Sequence, residues 1–105
     1  EGELRALHRK VSRERPPHRM LVPYHSFLRK DARPLVPGQV AELCFGLLPI
    51  SVLIKKDHRI RIAIAGADRG SLANISENER PVISVLRNKR HPSFIDLPVV
   101  KKRVR

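Results

Sequence analysis

Tryptophan is missing from this 105-residue chain, and its aromatic side chains stop at Tyr24, Phe27, Phe45 and Phe94. Large aromatic area for a core is therefore scarce, and stacking on successive nucleic-acid bases has no platform. Cysteine occurs once, as Cys44, which excludes an internal disulfide and makes a reducing, cytoplasmic setting the expectation. Cys44 lies in an apolar stretch and reads as a small buried hydrophobe rather than a reactive thiol. The only methionine is Met20 and the chain opens at Glu1, so the expectation is a piece of a longer polypeptide. Long apolar runs are also missing. The best, Leu43 to Ile54, is broken by Pro49 and falls well short of the roughly 20 residues a spanning helix needs. The charged N-terminus has no apolar core, so no secretory signal is read there. Acidic residues are few: 10 Asp and Glu face 22 Lys and Arg, a net charge of +12. Such an excess brings a polyanion into consideration as partner. The basic residues are spread along the chain, however, and their one dense cluster is the terminal Lys101, Lys102, Arg103 and Arg105.

What is present is β-patterning. In the segment after His58, Arg59, Arg61, Ala63 and Ala65 alternate with Ile60, Ile62 and Ile64, the period of two of a half-buried strand. Upstream, Ala41, Leu43, Phe45 and Leu47 give a strand its apolar face, introduced by a Pro37-Gly38 turn. Leu48-Pro49 turns that strand into a short buried apolar run, Val52–Ile54, and Lys55 to His58 forms a charged connection. Val82 to Leu86 is a further strand, and Asn88 to Ser93 a turn. In the last strand Ile95, Leu97 and Val99 share a face, and Pro98 places it at an edge or a bulge. Residues 1–10 fit a helix through Leu4 and Leu7, or a strand through Leu4, Ala6 and His8. Residues 11–37 hold Pro16, Pro17, Pro23, Pro34 and Pro37 and read as a surface loop, and residues 66–81 as a long polar loop. These segments supply about four strands, or up to six, where a sandwich carries roughly seven or eight. The expected fold is thus all-β, an incomplete jelly-roll-type β-sandwich whose first strands precede Glu1. The length leaves room for one domain at most, and residues 1–105 are expected to be the C-terminal part of it.

No catalytic residue, cofactor site or metal site is expected. Ser12, Ser26, Ser51, Ser71, Ser76, Ser84 and Ser93 all lie outside a G-x-S-x-G turn. The histidines, His8, His18, His25, His58 and His91, are not spaced to put two imidazoles on one ion. Gly66 and Gly70 are not followed by the Lys-Ser or Lys-Thr of a phosphate loop. Asp57-His58-Arg59 is the most notable polar cluster. It reads as a turn in which Asp57 takes left-handed backbone geometry, ahead of a general-base reading.

The order of these motifs resembles a known family. PGQVAELCFGLLPISVLIKKDHRIRIAIAGAD is similar to the C-terminal β-domain of the X-Pro dipeptidyl-peptidase and cocaine-esterase (CocE/NonD) serine hydrolases. The matching positions are Pro37-Gly38-Gln39-Val40, then Leu47-Leu48-Pro49-Ile50-Ser51, then His58-Arg59-Ile60-Arg61 and Asp68. Leu4–Arg9 resembles the strand before the family's proline-rich loop, and His91-Pro92-Ser93 with Phe94–Val99 its closing strand. The chain departs from the pattern at Asp57, usually Gly, at Gln39, often Glu, and at Ile50, usually Thr. The resemblance implies a jelly-roll accessory domain that packs on an α/β-hydrolase domain of the same parent chain and walls its active site. The Ser-His-Asp triad would lie in that other domain, leaving this chain without activity of its own. Contact between subunits, as a homo-oligomer, is a further role expected of this chain. The competing reading is a self-contained basic β-module that binds nucleic acid or another polyanion.

Overall fold

Proline at one position and glycine at the next preset a tight reversal, and Pro37-Gly38 makes one. Gln39 N–H donates to the Val36 carbonyl over 3.1 Å, and Gly38 takes φ of 78°, which a Cβ would penalise. A computed structural model describes residues 1–13, 16, 21–67 and 82–100. The chain divides into an N-terminal unit, Glu1–His58, and a C-terminal unit, Arg59–Arg105.

In the N-terminal unit the ambiguity of residues 1–10 resolves as a single 3₁₀ turn, Ala6–His8, closed by His8 N–H on the Arg5 carbonyl at 2.8 Å. A second 3₁₀ turn, Arg29–Asp31, lies within the proline-rich stretch. Its described residues, 11–13, 16 and 21–37, otherwise form a loop, as expected, which is tied to the start of the chain. Ser12 N–H donates to the Tyr24 carbonyl at 2.7 Å, and Arg33 N–H to the Leu7 carbonyl at 2.8 Å. The Arg9 guanidinium donates to the carbonyls of Arg33 and Pro34. Residues 1–2 lie along residues 46–48: Leu48 N–H donates to the Glu1 carbonyl at 2.6 Å. A Cβ on Gly2 would fall 2.7 Å from the Gly46 carbonyl oxygen, so this approach requires glycine. The turn read at Asp57 is present. Its φ is 68°, and His58 N–H donates to the Lys55 carbonyl at 3.1 Å.

The C-terminal unit shows its clearest order at the turn expected over Asn88 to Ser93. The Asn88 side-chain oxygen accepts from Arg90 N–H at 3.1 Å and His91 N–H at 2.8 Å, an Asx turn. Ser93 Oγ closes it by donating to the Leu86 carbonyl at 2.6 Å. Leu86 and Ile95, on either side, are half-buried.

Among the described residues no β-ladder is drawn and no hydrophobic side chain is buried. Ile60, Ile62 and Ile64 alternate as the sequence implies, yet each is more than half exposed. Two expectations are corrected. The apolar run Val52–Ile54 is exposed, with Leu53 at 81 %, and so is Cys44. The physical reason is common to both: among the described residues of the N-terminal unit no second layer lies over them, and a strand face stays dry only when another layer covers it.

Candidate functional site

The one buried side chain among the described residues is polar: His25, 7 % exposed. Burial of an imidazole demands partners for its ring nitrogens. Both have one. Nδ1 lies 3.1 Å from the Lys10 carbonyl oxygen and Nε2 2.9 Å from the Cys44 carbonyl oxygen. The ring thus links the first segment, the proline-rich loop and the Val40–Leu47 stretch.

Next to it Ser26 Oγ donates to Asp31 Oδ2 at 2.6 Å and accepts Leu28 N–H at 3.2 Å. Asp31 is also paired with the Lys10 ammonium, and its side chain keeps only 11 % of its surface exposed. The Lys10 hydrogen bond, then the Ser26 hydroxyl, hold the Asp31 carboxyl below its ordinary value of 3.8. Phe27 neighbours two imidazoles. Its ring meets His8 edge-on at 5.3 Å and 61°, and His25 at 6.1 Å and 54°. His8 Nδ1 is covered without a hydrogen-bond partner. A shallow hollow beside this cluster is lined by Leu4, Pro23, Tyr24, His25, Phe27 and Phe45.

Chemically this arrangement fastens a loop. Ser26 and His25 are sequence neighbours, but the imidazole bonds to carbonyl oxygens and the Ser26 proton goes to Asp31. A nucleophilic serine needs its proton directed at a base such as histidine. Ser93 likewise spends its hydroxyl on the Leu86 carbonyl. Asp57 and His58 are exposed in a turn. Among the described residues no group of three or more His, Cys, Asp or Glu could hold a metal ion. None of their helices is long and apolar enough to cross a membrane. His18, Ser71, Ser76, Asp68, Gly70 and the basic cluster Lys101, Lys102, Arg103 and Arg105 lie outside the described residues.

Comparison with known proteins gives the arrangement its context. Residues 1–95 match the family model described as the X-Pro dipeptidyl-peptidase C-terminal non-catalytic domain. The chain belongs to that family. Two mycobacterial relatives are similar to this domain. One is the Mycobacterium bovis protein named "Putative serine esterase Mb1866c", 52% identical over 101 residues. The other is the Mycobacterium tuberculosis protein named "Putative serine esterase MT1883", with the same identity over the same length. In each case the alignment takes in 96% of this chain and 16% of the relative, so the domain spans about a sixth of their length. No solved structure matches the chain at a significant level.

Sequence reasoning missed the His25 cluster. A search for histidine spacing looks for side-chain partners, and the partners here are backbone carbonyls far along the chain. The signal that was available is local: His25 and Ser26 precede an Asp at i+5 of Ser26, in a loop otherwise rich in proline.

Proposed function

We propose that this domain is a non-catalytic part of a serine hydrolase that cleaves an acyl bond, an ester or a peptide after proline. It completes a jelly-roll β-sandwich with strands supplied by the rest of its parent. It packs on an α/β-hydrolase domain of that parent and forms part of the wall around its active site. The observation that carries this reading is the family match over residues 1–95, joined to relatives named as serine esterases that are about six times longer. The uncovered apolar side chains support it: Ile50, Leu53 and Ile64 are 78 %, 81 % and 66 % exposed. Surfaces of this kind on a polypeptide mark places where more protein packs. The single cysteine, without a disulfide partner, fits a reducing cytoplasmic setting.

In this reading the chemistry belongs to a Ser-His-Asp triad and oxyanion hole elsewhere in the parent. The present residues contribute position and exclusion of water. The test is to label the full-length protein with a fluorophosphonate probe and map the modified serine. Labelling outside residues 1–105, together with turnover of a p-nitrophenyl ester, is the expected result. Ester turnover by the isolated 105-residue chain, abolished by the same probe, would refute it.

A further inference from the structure

We infer that the proline-rich loop is latched by a proton: His25 closes the latch as an imidazolium that donates from both ring nitrogens, and the latch slackens when rising pH removes that proton. His25 is the one buried side chain among the described residues. Its Nδ1 lies 3.1 Å from the Lys10 carbonyl oxygen and its Nε2 2.9 Å from the Cys44 carbonyl oxygen. A carbonyl oxygen only accepts, so each contact asks its ring nitrogen for an N–H. A neutral imidazole carries one N–H and one lone pair, and so satisfies one of the two contacts. In either neutral tautomer the other nitrogen turns its lone pair on a carbonyl oxygen. The imidazolium alone supplies both donors, and hydrogen bonds from a charged donor are roughly twice as strong as neutral ones. Burial opposes a charged ring. Here the two carbonyl oxygens stand where water oxygens would, so the backbone takes over the solvation of the charge.

What the ring holds together is distant in sequence: Lys10 lies 15 residues before it and Cys44 19 residues after it. The titratable groups beside it come from each segment of the cluster. Lys10 gives its carbonyl to the ring and its ammonium to Asp31. Glu3 and Tyr24 line the same hollow as His25. Cys44 turns its carbonyl to the ring and is itself exposed. His8 meets the Phe27 ring that also neighbours His25, and its covered Nδ1 has no partner among the described residues. A proton added there would be a covered donor without an acceptor, so His8 favours the cluster as pH rises. Asp31 acts in that sense too, at lower pH: the Lys10 hydrogen bond and then the Ser26 hydroxyl hold its carboxyl below 3.8, and its contribution is lost only in acid. Between about pH 5 and 8, where imidazoles change charge, His25 is the group of this cluster whose hold weakens as pH rises. A proton held more tightly by the folded state than by the unfolded one stabilises in acid, and that stability falls away as pH rises.

The experiment follows amide hydrogen exchange of the full-length protein between about pH 5 and 8, corrected for the intrinsic pH dependence of exchange, with nitrogen NMR of isotopically labelled histidine. Two amides flank the latch: Ser12 N–H on the Tyr24 carbonyl and Arg33 N–H on the Leu7 carbonyl. The turn closed by Gln39 N–H is the internal reference, since Val36 to Gln39 include no titratable side chain. We expect Ser12 and Arg33 to lose about tenfold in protection as pH rises, the worth of one charge-assisted hydrogen bond, while Gln39 keeps its own. His25→Gln, whose side chain does not titrate, should start less protected and show no step, and His8→Gln should keep the step. The ring signal that His25→Gln removes should show two protonated nitrogens at the acid end and one bare nitrogen at the alkaline end. A bare nitrogen on His25 throughout the range would overturn the inference, because the ring then pins the loop as a neutral group. A flat profile at Ser12 and Arg33 would do the same, as would a step that survives His25→Gln or vanishes in His8→Gln. If His25→Gln fails to fold, the wild-type profile decides. A step at Ser12 and Arg33 without one at Gln39 supports the latch, and a step at all three overturns it.

Discussion

Leu53 offers the sharpest test of whether the apolar faces of this domain are covered in the complete protein. It is 81 % exposed, between Val52 at 67 % and Ile54 at 46 %. Fully burying a leucine side chain is worth about 1.5–3 kcal/mol relative to leaving it in water. With four-fifths of its surface still exposed, Leu53 stands to gain about 1.2–2.4 kcal/mol when a further layer covers it. Truncating it in a covered site also opens a cavity, which brings Leu→Ala to about 2–5 kcal/mol. In the isolated 105-residue chain the same change touches a solvated side chain, and its effect should stay within about 0.5 kcal/mol. Urea unfolding of the full-length protein, wild type against Leu53→Ala, measures the first quantity from the shift in midpoint at constant slope. Binding of an apolar dye to the isolated chain supplies the complement, because Leu53→Ala should weaken it. If Leu53→Ala costs the full-length protein less than about 0.5 kcal/mol, the face is not covered there and the packing argument fails.

Two further outcomes follow from single residues. Asp57→Gly should stabilise the chain by about 0.5–1 kcal/mol, because glycine accepts the φ of 68° without the Cβ clash and gives back part of that gain as unfolded-state entropy. The denaturation midpoint of the full-length variant checks this, and a lower midpoint would show that the Asp57 side chain serves the turn. Asp31 should make the N-terminal unit sensitive to acid. Its carboxyl is held below 3.8 by the Lys10 hydrogen bond and then the Ser26 hydroxyl, so its contribution is complete above 3.8 and disappears as pH falls through the lower folded value. Carboxyl carbon chemical shifts followed through an acid titration report it directly, and Asp31→Asn should abolish that part of the acid response.

The turns are legible in the sequence and the coverings are not, for a definite physical reason. Pro37-Gly38, Asp57 and Asn88–Ser93 are set by sterics and hydrogen bonds within a few residues, so their residue types announce them. The alternation of Ile60, Ile62 and Ile64 with Arg59 and Arg61 is equally local. It states that two faces differ and says nothing of what lies over either one. That is why Cys44 and Val52–Ile54 read as buried from sequence and stand exposed in the structure. His25 is obscure from the opposite cause: its acceptors are the carbonyls of Lys10 and Cys44, and any residue supplies a carbonyl. Phe27 carries no residue-type signal for positive φ at all. The two kinds of interaction are thus divided within this chain. Hydrogen bonds between residues 1–13 and 21–48 are made internally, while the apolar side chains of the described residues find no interior. Hydrogen bonds contribute about 1 kcal/mol net each, and burial of apolar surface is the main favourable term in folding. Under the hydrolase reading proposed above, a domain that holds its loops and leaves the aliphatic faces of its described residues in water draws most of its stability from the rest of its parent. Its cooperativity should therefore belong to the whole parent, which is what calorimetry of the full-length protein would register.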